Sequence, residues 1–306
     1  MKTLCCLLLG MLYLQTGYSQ LSNQFVQNGI SCYSRKDYAM AVENFSKAIE
    51  IDPNLPAAYY NRGLAKHAQQ DYSGAITDFN KCISVAPNAN NADVYISRGL
   101  TRYTQKDYPG AIKDYTKAIE VNPSSEKAFN NRGIVKYTNA DMPGALLDFN
   151  KAIELAPDYA DAYHNRGLVK DFRKDFAGAV ADYDKAIFYD HDFTDAYYDR
   201  GFSKNRMKDY KGAIIDFTRC LELNPLSADA YNGRGLAKYF ESSDYTNAIL
   251  DYNKAIELNP EYSEAYYNRG ISELALDQKP NACKDFKRAQ EEGYRQAAYQ
   301  LGRYCK

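Results

Sequence analysis

Glycine recurs along this chain at a nearly constant interval: Gly29, Gly63, Gly99, Gly133, Gly167, Gly201, Gly235 and Gly270. The step is 34 residues, stretched to 36 at the third glycine and 35 at the eighth. Nothing else restricts the fold as strongly, because every glycine carries the same escort. Twelve residues on (thirteen in the seventh unit) stands an alanine, the series running from Ala41 and Ala75 to Ala248 and Ala282. Four further on comes an aromatic, from Phe45 to Phe286, and three beyond that an alanine, replaced by Cys82 and Cys220 in two units. Another aromatic precedes each glycine by four: Phe25, Tyr59, Tyr95, Phe129, Tyr163, Tyr197, Tyr231 and Tyr266. Proline closes six units, from Pro53 to Pro260, and His191 stands in place of one.

A repeat of this length is one supersecondary unit that buries its apolar face only against its neighbours. Each unit holds two helix-length stretches joined by a turn such as Gln70-Asp71-Tyr72. A glycine inside a helix costs about 1 kcal/mol relative to alanine, so eight of them imply a close helix–helix approach. The alanines supply the matching small surface and the aromatics fill the space around it. Proline ends the second helix, since it lacks an N–H and clashes with the preceding turn. The expected class is all-α.

This pattern resembles the tetratricopeptide repeat family, with eight units over residues 22–290. The resemblance implies a right-handed superhelical solenoid in which the first helix of each pair lines a concave face. Residues 291–306 follow as a C-terminal capping helix, as exposed ends of such arrays require. The extra residues near Asn88–Asn91 and Glu241–Ser243 are expected in turns, where insertions are tolerated.

The chain departs from the family at the residue before the glycine, usually apolar. Here stand Arg62, Arg98, Arg132, Arg166, Arg200, Arg234 and Arg269, and fifteen residues after the glycine (sixteen in the seventh unit) comes an aspartate, from Asp78 to Asp285. The first unit loses both together, with Asn28 and Asn44. Joint loss predicts contact, a ladder of Arg–Asp pairs between first and second helices. As exposed pairs they would contribute little to stability. A second basic row, Lys66, Arg102, Lys136, Lys170, Lys204 and Lys238, lies three residues after the glycine and reads as a solvated rim.

The first twenty residues are of another kind. Lys2, an apolar run from Leu4 to Leu14 and the small residues Gly17 and Ser19 describe a secretory signal peptide over residues 1–19, with cleavage near Gln20. The run is too short to cross a bilayer, which takes about 20 apolar residues, and none follows it. Cys5 and Cys6 come too early for lipid attachment. The expected protein is therefore secreted or periplasmic, and not membrane-spanning after cleavage.

Sites for chemistry are missing. His67, His164 and His191 have no ligand-spaced partners, so no metal is expected. There is no phosphate-cradling glycine loop and no nucleophile elbow, hence no cofactor and no enzyme. A formal net charge of −1 gives no footprint for nucleic acid. Cys82 and Cys220 read as core residues and Cys32 as free. Cys283 and Cys305 are the pair positioned to form a disulfide if the chain reverses near Glu292-Gly293.

What remains is a surface. Spacing and the family's geometry together turn the residues at −3, +1, +4 and +5 from each glycine toward the concave face. They include Tyr60, His67, Tyr103, Asn130, Tyr137, His164 and Phe172, then Tyr198, Phe202, Arg206, Asn232, Tyr239, Phe240 and Tyr267. This mixture of aromatics and amides suits adaptable protein contacts. The expected function is an exported scaffold that holds a peptide or partner protein. Two alternatives stay open: an accessory subunit or adaptor of a surface enzyme or secretion complex, and a carbohydrate-binding module. Family members that hold C-terminal carboxylates use a basic residue with an Asn on this face, and no −3/+1 pair here supplies Lys with Asn.

Overall fold

The periodic punctuation becomes pairs of antiparallel helices. The computed structural model of the chain describes residues 19–87 and 91–305; the signal-peptide segment ahead of Ser19 and most of the insertion at 88–90 lie outside them. Two compact units divide between Ala156 and Pro157. Unit 1 contains α1 (19–34), α2 (Tyr38–Ile51), α3 (Pro56–Ala68), α4 (Tyr72–Val85), α5 (Ala92–Thr104), α6 (Tyr108–Val121), α7 (Glu126–Thr138) and α8 (Met142–Leu155). Unit 2 contains α9 (Ala160–Phe172), α10 (Phe176–Tyr189), α11 (Thr194–Arg206), α12 (Tyr210–Leu223), α13 (Ala228–Ser242), α14 (Tyr245–Leu258), α15 (Ser263–Ala275), α16 (Lys279–Glu291) and α17 (Gln296–Tyr304). The described residues include no strand. None of these helices is long and apolar enough to cross a membrane.

The turn inside each pair is chemical. An aspartate caps the second helix in seven of the eight pairs, as Asp71 does by accepting from the Gly74 N–H at 3.0 Å; Gln278 takes the place before α16. The residue before the cap takes a left-handed backbone, φ 65° at Gln70 and 62° at Lys106. Its amide and the next bond back to α3, Gln70 to the His67 carbonyl and Asp71 to the Lys66 carbonyl, both at 2.9 Å. These bonds satisfy carbonyls that the end of α3 would otherwise orphan.

The glycines do what their spacing implies. A Cβ on Gly63 would lie 2.7 Å from the Phe79 ring, and one on Gly133 would lie 2.6 Å from Phe149. The second-helix aromatic therefore seats directly on bare first-helix backbone, and Ala75, Phe79 and Cys82 are buried around it. The tyrosines before the glycines reach back to the closing prolines: Tyr59 Oη donates to the Pro53 carbonyl at 3.1 Å, and Tyr163 to that of Pro157 at 3.2 Å. Proline thus ends one helix while its carbonyl anchors the next.

The insertion at 241–243 departs from its expected place. Glu241 and Ser242 extend α13 and only Ser243, with φ 53°, makes the turn. At the C-terminal end, α17 packs on α16 through Ala297, Leu301 and Tyr294 against Phe286. The chain reverses at Gly293, φ 88°, a conformation that favours glycine. A disulfide joins Cys283 on α16 to Cys305 just past α17, with Cα atoms 5.6 Å apart. Cys32, Cys82 and Cys220 are free and buried. Burial pushes the Cys220 thiol up to about 11, with Asp195 and Asp199 adding to it, so it stays protonated.

Candidate functional site

The Arg–Asp ladder separates frame from face. Each of the seven arginines holds its aspartate in a fork, Nε to Oδ2 and Nη2 to Oδ1, at 2.5–3.1 Å. The aspartate side chains are only 1–6% exposed and the arginines 14–20%. These are not the exposed pairs the sequence suggested. The basic row is not a solvated rim either: Lys66, Arg102, Lys136, Lys170, Lys204 and Lys238 each place a nitrogen 2.7–2.8 Å from the same aspartate. One buried carboxylate is shared by two cations because both sit one turn apart on a single helix face. The third arginine nitrogen reaches the preceding pair: Arg62 to Ser46 Oγ at 3.0 Å, Arg234 to Thr218 Oγ1 at 3.3 Å. The guanidinium also lies over the ring three residues back, 5.3 Å for Arg98 on Tyr95. These cations are structurally engaged on the helix–helix side.

The other side of the first helices carries the predicted contact residues, and the structure distributes them unevenly. In unit 1, Tyr60, His67 and Tyr103 are tied sideways to the next repeat. Tyr60 Oη meets Ser97 Oγ at 3.3 Å, His67 Nδ1 meets Thr101 Oγ1 at 3.0 Å, and Tyr103 Oη meets Thr138 Oγ1 at 3.3 Å. Tyr137 is half-buried and Asn130 fully buried. His164, in unit 2, is buried too, with Nε2 2.8 Å from Asp199 and its ring 4.8 Å from Phe193. Asn130 and His164 therefore brace the wall more than they present themselves.

Beside His164, Asp171 accepts from the Ser203 hydroxyl at 2.5 Å. Burial holds the Asp171 carboxyl above the ordinary range, with the Asp199 charge adding to this against the Ser203 hydrogen bond and Arg206. Phe172 and Phe240 are largely exposed and Phe202 partly so. Tyr267 is half-buried, accepting from Gln300 Nε2 at 3.1 Å, and Tyr239 packs edge-on against Phe240.

Unit 2 gathers several of these residues around one pocket of about 270 Å³. Tyr198, Phe202, Arg206, Asn232 and Phe240 line it, all on the predicted face. Sequence reasoning missed Asp229, Gly233, Tyr262 and Glu264, which complete the wall. Asp229 and Glu264 belong to a row six residues before the glycine, and Tyr262 precedes α15. The signal for that row was present, since −6, −3, +1 and +5 fall on one helix stripe. Burial and then the negative charges of Asp229, Asp199 and Glu264 hold the Tyr198 hydroxyl above its ordinary range. Among the described residues, no three of His, Cys, Asp or Glu come together as a metal site. The arrangement offers aromatic area, hydrogen-bonding groups and charge; it assembles no nucleophile with a base.

Sequence profiles of the tetratricopeptide repeat match residues 56–89 and 92–125, and two further profiles described as TPR repeats match 29–70, 238–274 and 194–225. No curated protein matches the chain. Among solved structures, it is similar to YrrB, described as a TPR protein with an unusual peptide-binding site: 23% identity, TM-score 0.55, 61% of this chain and 97% of that one. PilF of Pseudomonas aeruginosa aligns at 19% identity and TM-score 0.61, covering 70% and 96%. A tetratricopeptide repeat protein from Parabacteroides merdae aligns at 20% and 0.58, covering 82% and 99%.

Proposed function

The chain belongs to the tetratricopeptide repeat family, and on that footing we propose that it is an exported, non-catalytic scaffold whose first-helix face holds an internal segment or folded surface of a partner protein. The observation that carries this reading is the unit 2 pocket, where Tyr198, Phe202 and Phe240 converge with Asn232 and Arg206. Rigid aromatics beside adaptable polar groups are what hot spots are made of. Burying them is worth roughly 25 cal/mol per Å² before association costs. YrrB, described by its peptide-binding site, has the same repeat architecture, which supports the reading by analogy. Export is supported by the Lys2 and Leu4–Leu14 segment and by the Cys283–Cys305 disulfide, since such bridges persist in oxidising compartments.

Cross-linking in the native compartment should recover a protein partner. Tyr198→Ala with Phe202→Ala should then weaken its binding by more than about 1 kcal/mol. Affinity that survives this change but collapses when the partner's C-terminal carboxylate is amidated would refute the proposed groove chemistry. N-terminal sequencing of exported protein should begin at or near Gln20, and an intact Met1 on cytoplasmic protein would refute export.

A further inference from the structure

The two units differ in charge on the binding face. At the positions −6, −3, −2, +1, +4 and +5 from each glycine, unit 1 carries Asp93 against Lys127, a balance of zero. Unit 2 carries Asp161, Asp171, Asp195, Asp199, Asp229 and Glu264 against Arg206, a formal charge of −5 with His neutral. Acids in a first helical turn complement the helix dipole. The dipole explains their place on α9, α11, α13 and α15, but not the pocket that two of them line.

Three observations in that pocket point the same way. Asp229 and Glu264 enter no ion pair among the described residues, whereas all seven ladder aspartates are ion-paired, six of them with two cations. One acceptor is left over: Asn205 Nδ2 donates to the Gly233 carbonyl at 3.2 Å, while its Oδ1 is sealed from solvent and accepts from nothing. The third concerns Gly233, where the neighbouring repeats have Asp199 and Asn268. A Cβ there would lie 2.6 Å from the Phe217 ring. The Phe217 ring would stand 3.2 Å from a Cβ on Gly201, against 2.5–3.0 Å for the corresponding pair in every other repeat. The missing side chain thus leaves Phe217 as a floor and the space above it open.

We propose that this pocket takes the side chain of an Arg or Lys from a basic segment of a partner protein, its cationic head at Asp229 and Glu264 and its stem against Tyr198 and Phe202. Arg206 lines the same pocket but is ion-paired with neither acid among the described residues; its guanidinium is stacked over Phe202 at 4.9 Å. Neighbouring helices lie about 8–10 Å apart and an extended chain advances about 3.3 Å per residue. Basic residues about three apart would therefore meet Asp195, Asp229 and Glu264 in turn.

The assignment rests on the scaffold reading, and one experiment separates the two. A library of short, end-capped peptides is panned on the full chain and the retained pool sequenced. Arg and Lys should be enriched about fivefold, often three residues apart, with Asp and Glu depleted. The enrichment should vanish with Asp229→Asn plus Glu264→Gln. The wild-type chain should likewise lose a retained peptide when its Arg is replaced by norleucine, a readout that leaves the fold untouched. A retained pool without basic enrichment, or enrichment that survives the double change, would overturn the assignment while leaving the scaffold intact. A library from which nothing is retained would overturn the assignment, and native-compartment cross-linking that then recovers no protein partner would overturn the scaffold reading as well.

Discussion

Both units tie the groove face sideways to the next repeat, unit 1 through hydroxyls and an imidazole and unit 2 largely through carboxylates and amides. Tyr60, His67 and Tyr103 spend their polar atoms on Ser97, Thr101 and Thr138 of the next repeat. At +4, where unit 1 has His67 and Tyr103, unit 2 has Asp171 and Asn205, which bond Ser203 and the Gly233 carbonyl, while Tyr198 and Tyr267 keep the position of Tyr60; at −2 Gly233 stands where the neighbouring repeats have Asp199 and Asn268. Beneath these faces the frame is the same. Arg132 and Arg234 hold Asp148 and Asp251 with the same fork, the same lysine on the second oxygen and the same reach to a threonine of the preceding pair. The comparison teaches that this architecture separates what holds repeats together from what they display. Selection can open a pocket by changing −2, +4 and +5 without touching the ladder or the glycine–aromatic contact.

If the frame is common, breaking it must cost alike on both sides. Arg132→Ala and Arg234→Ala should each destabilise by about 3 kcal/mol, because each leaves a buried aspartate with only one cation. Local hydrogen exchange in α7–α8 and α13–α14 reports the two losses, and a large inequality would break the comparison. Next comes the disulfide bridge of unit 2. Replacing Cys283 and Cys305 by serine opens a loop of sequence separation 22 and should cost about 3 kcal/mol. Faster exchange is expected in α16 and α17, with unit 1 unmoved.

A smaller effect sharpens the contrast of faces. Tyr60→Ala with Leu64→Ala in unit 1 should weaken partner binding less than the matching Tyr198 and Phe202 change, measured as the ratio of the two dissociation constants. Equal losses would mean that the open pocket is not where the partner anchors.

The smallest effect concerns Glu273, which replaces the lysine of the ladder in the last repeat. It is buried, with Oε2 unpartnered, and faces Asp285. Burial first, and then the Asp285 charge, push its carboxyl up to about 7 from an ordinary 4.5, against the pull of Arg269. A raised carboxyl binds its proton more tightly in the folded chain. Its contribution is therefore complete below the unfolded value and is lost as pH rises through 7. Glu273→Gln should stabilise by about 1 kcal/mol near pH 8 and by almost nothing near pH 4, read from denaturation midpoints at the two values.

Periodicity alone determined the helix pairs, their order and the Arg–Asp contact, because glycine at fixed spacing admits one solution for packing two helices and the joint change at Asn28 and Asn44 marked which positions act together. Spacing also set Tyr198, Phe202 and Phe240 on one helical stripe, since stripes follow from residue number, and the family resemblance named that stripe as the concave face. Only the tertiary structure decided what spacing cannot express. The aspartates are buried and doubly paired, which turned a supposed rim of lysines into part of the frame, because solvent exposure depends on the neighbouring repeat and not on the residue's own helix. His164 and Asn130 turn out to be wall. Gly233, one glycine among 18 in the sequence, matters because Phe217 comes from another helix to occupy the space it leaves. Pockets belong to several helices at once, so no single stretch of sequence records them.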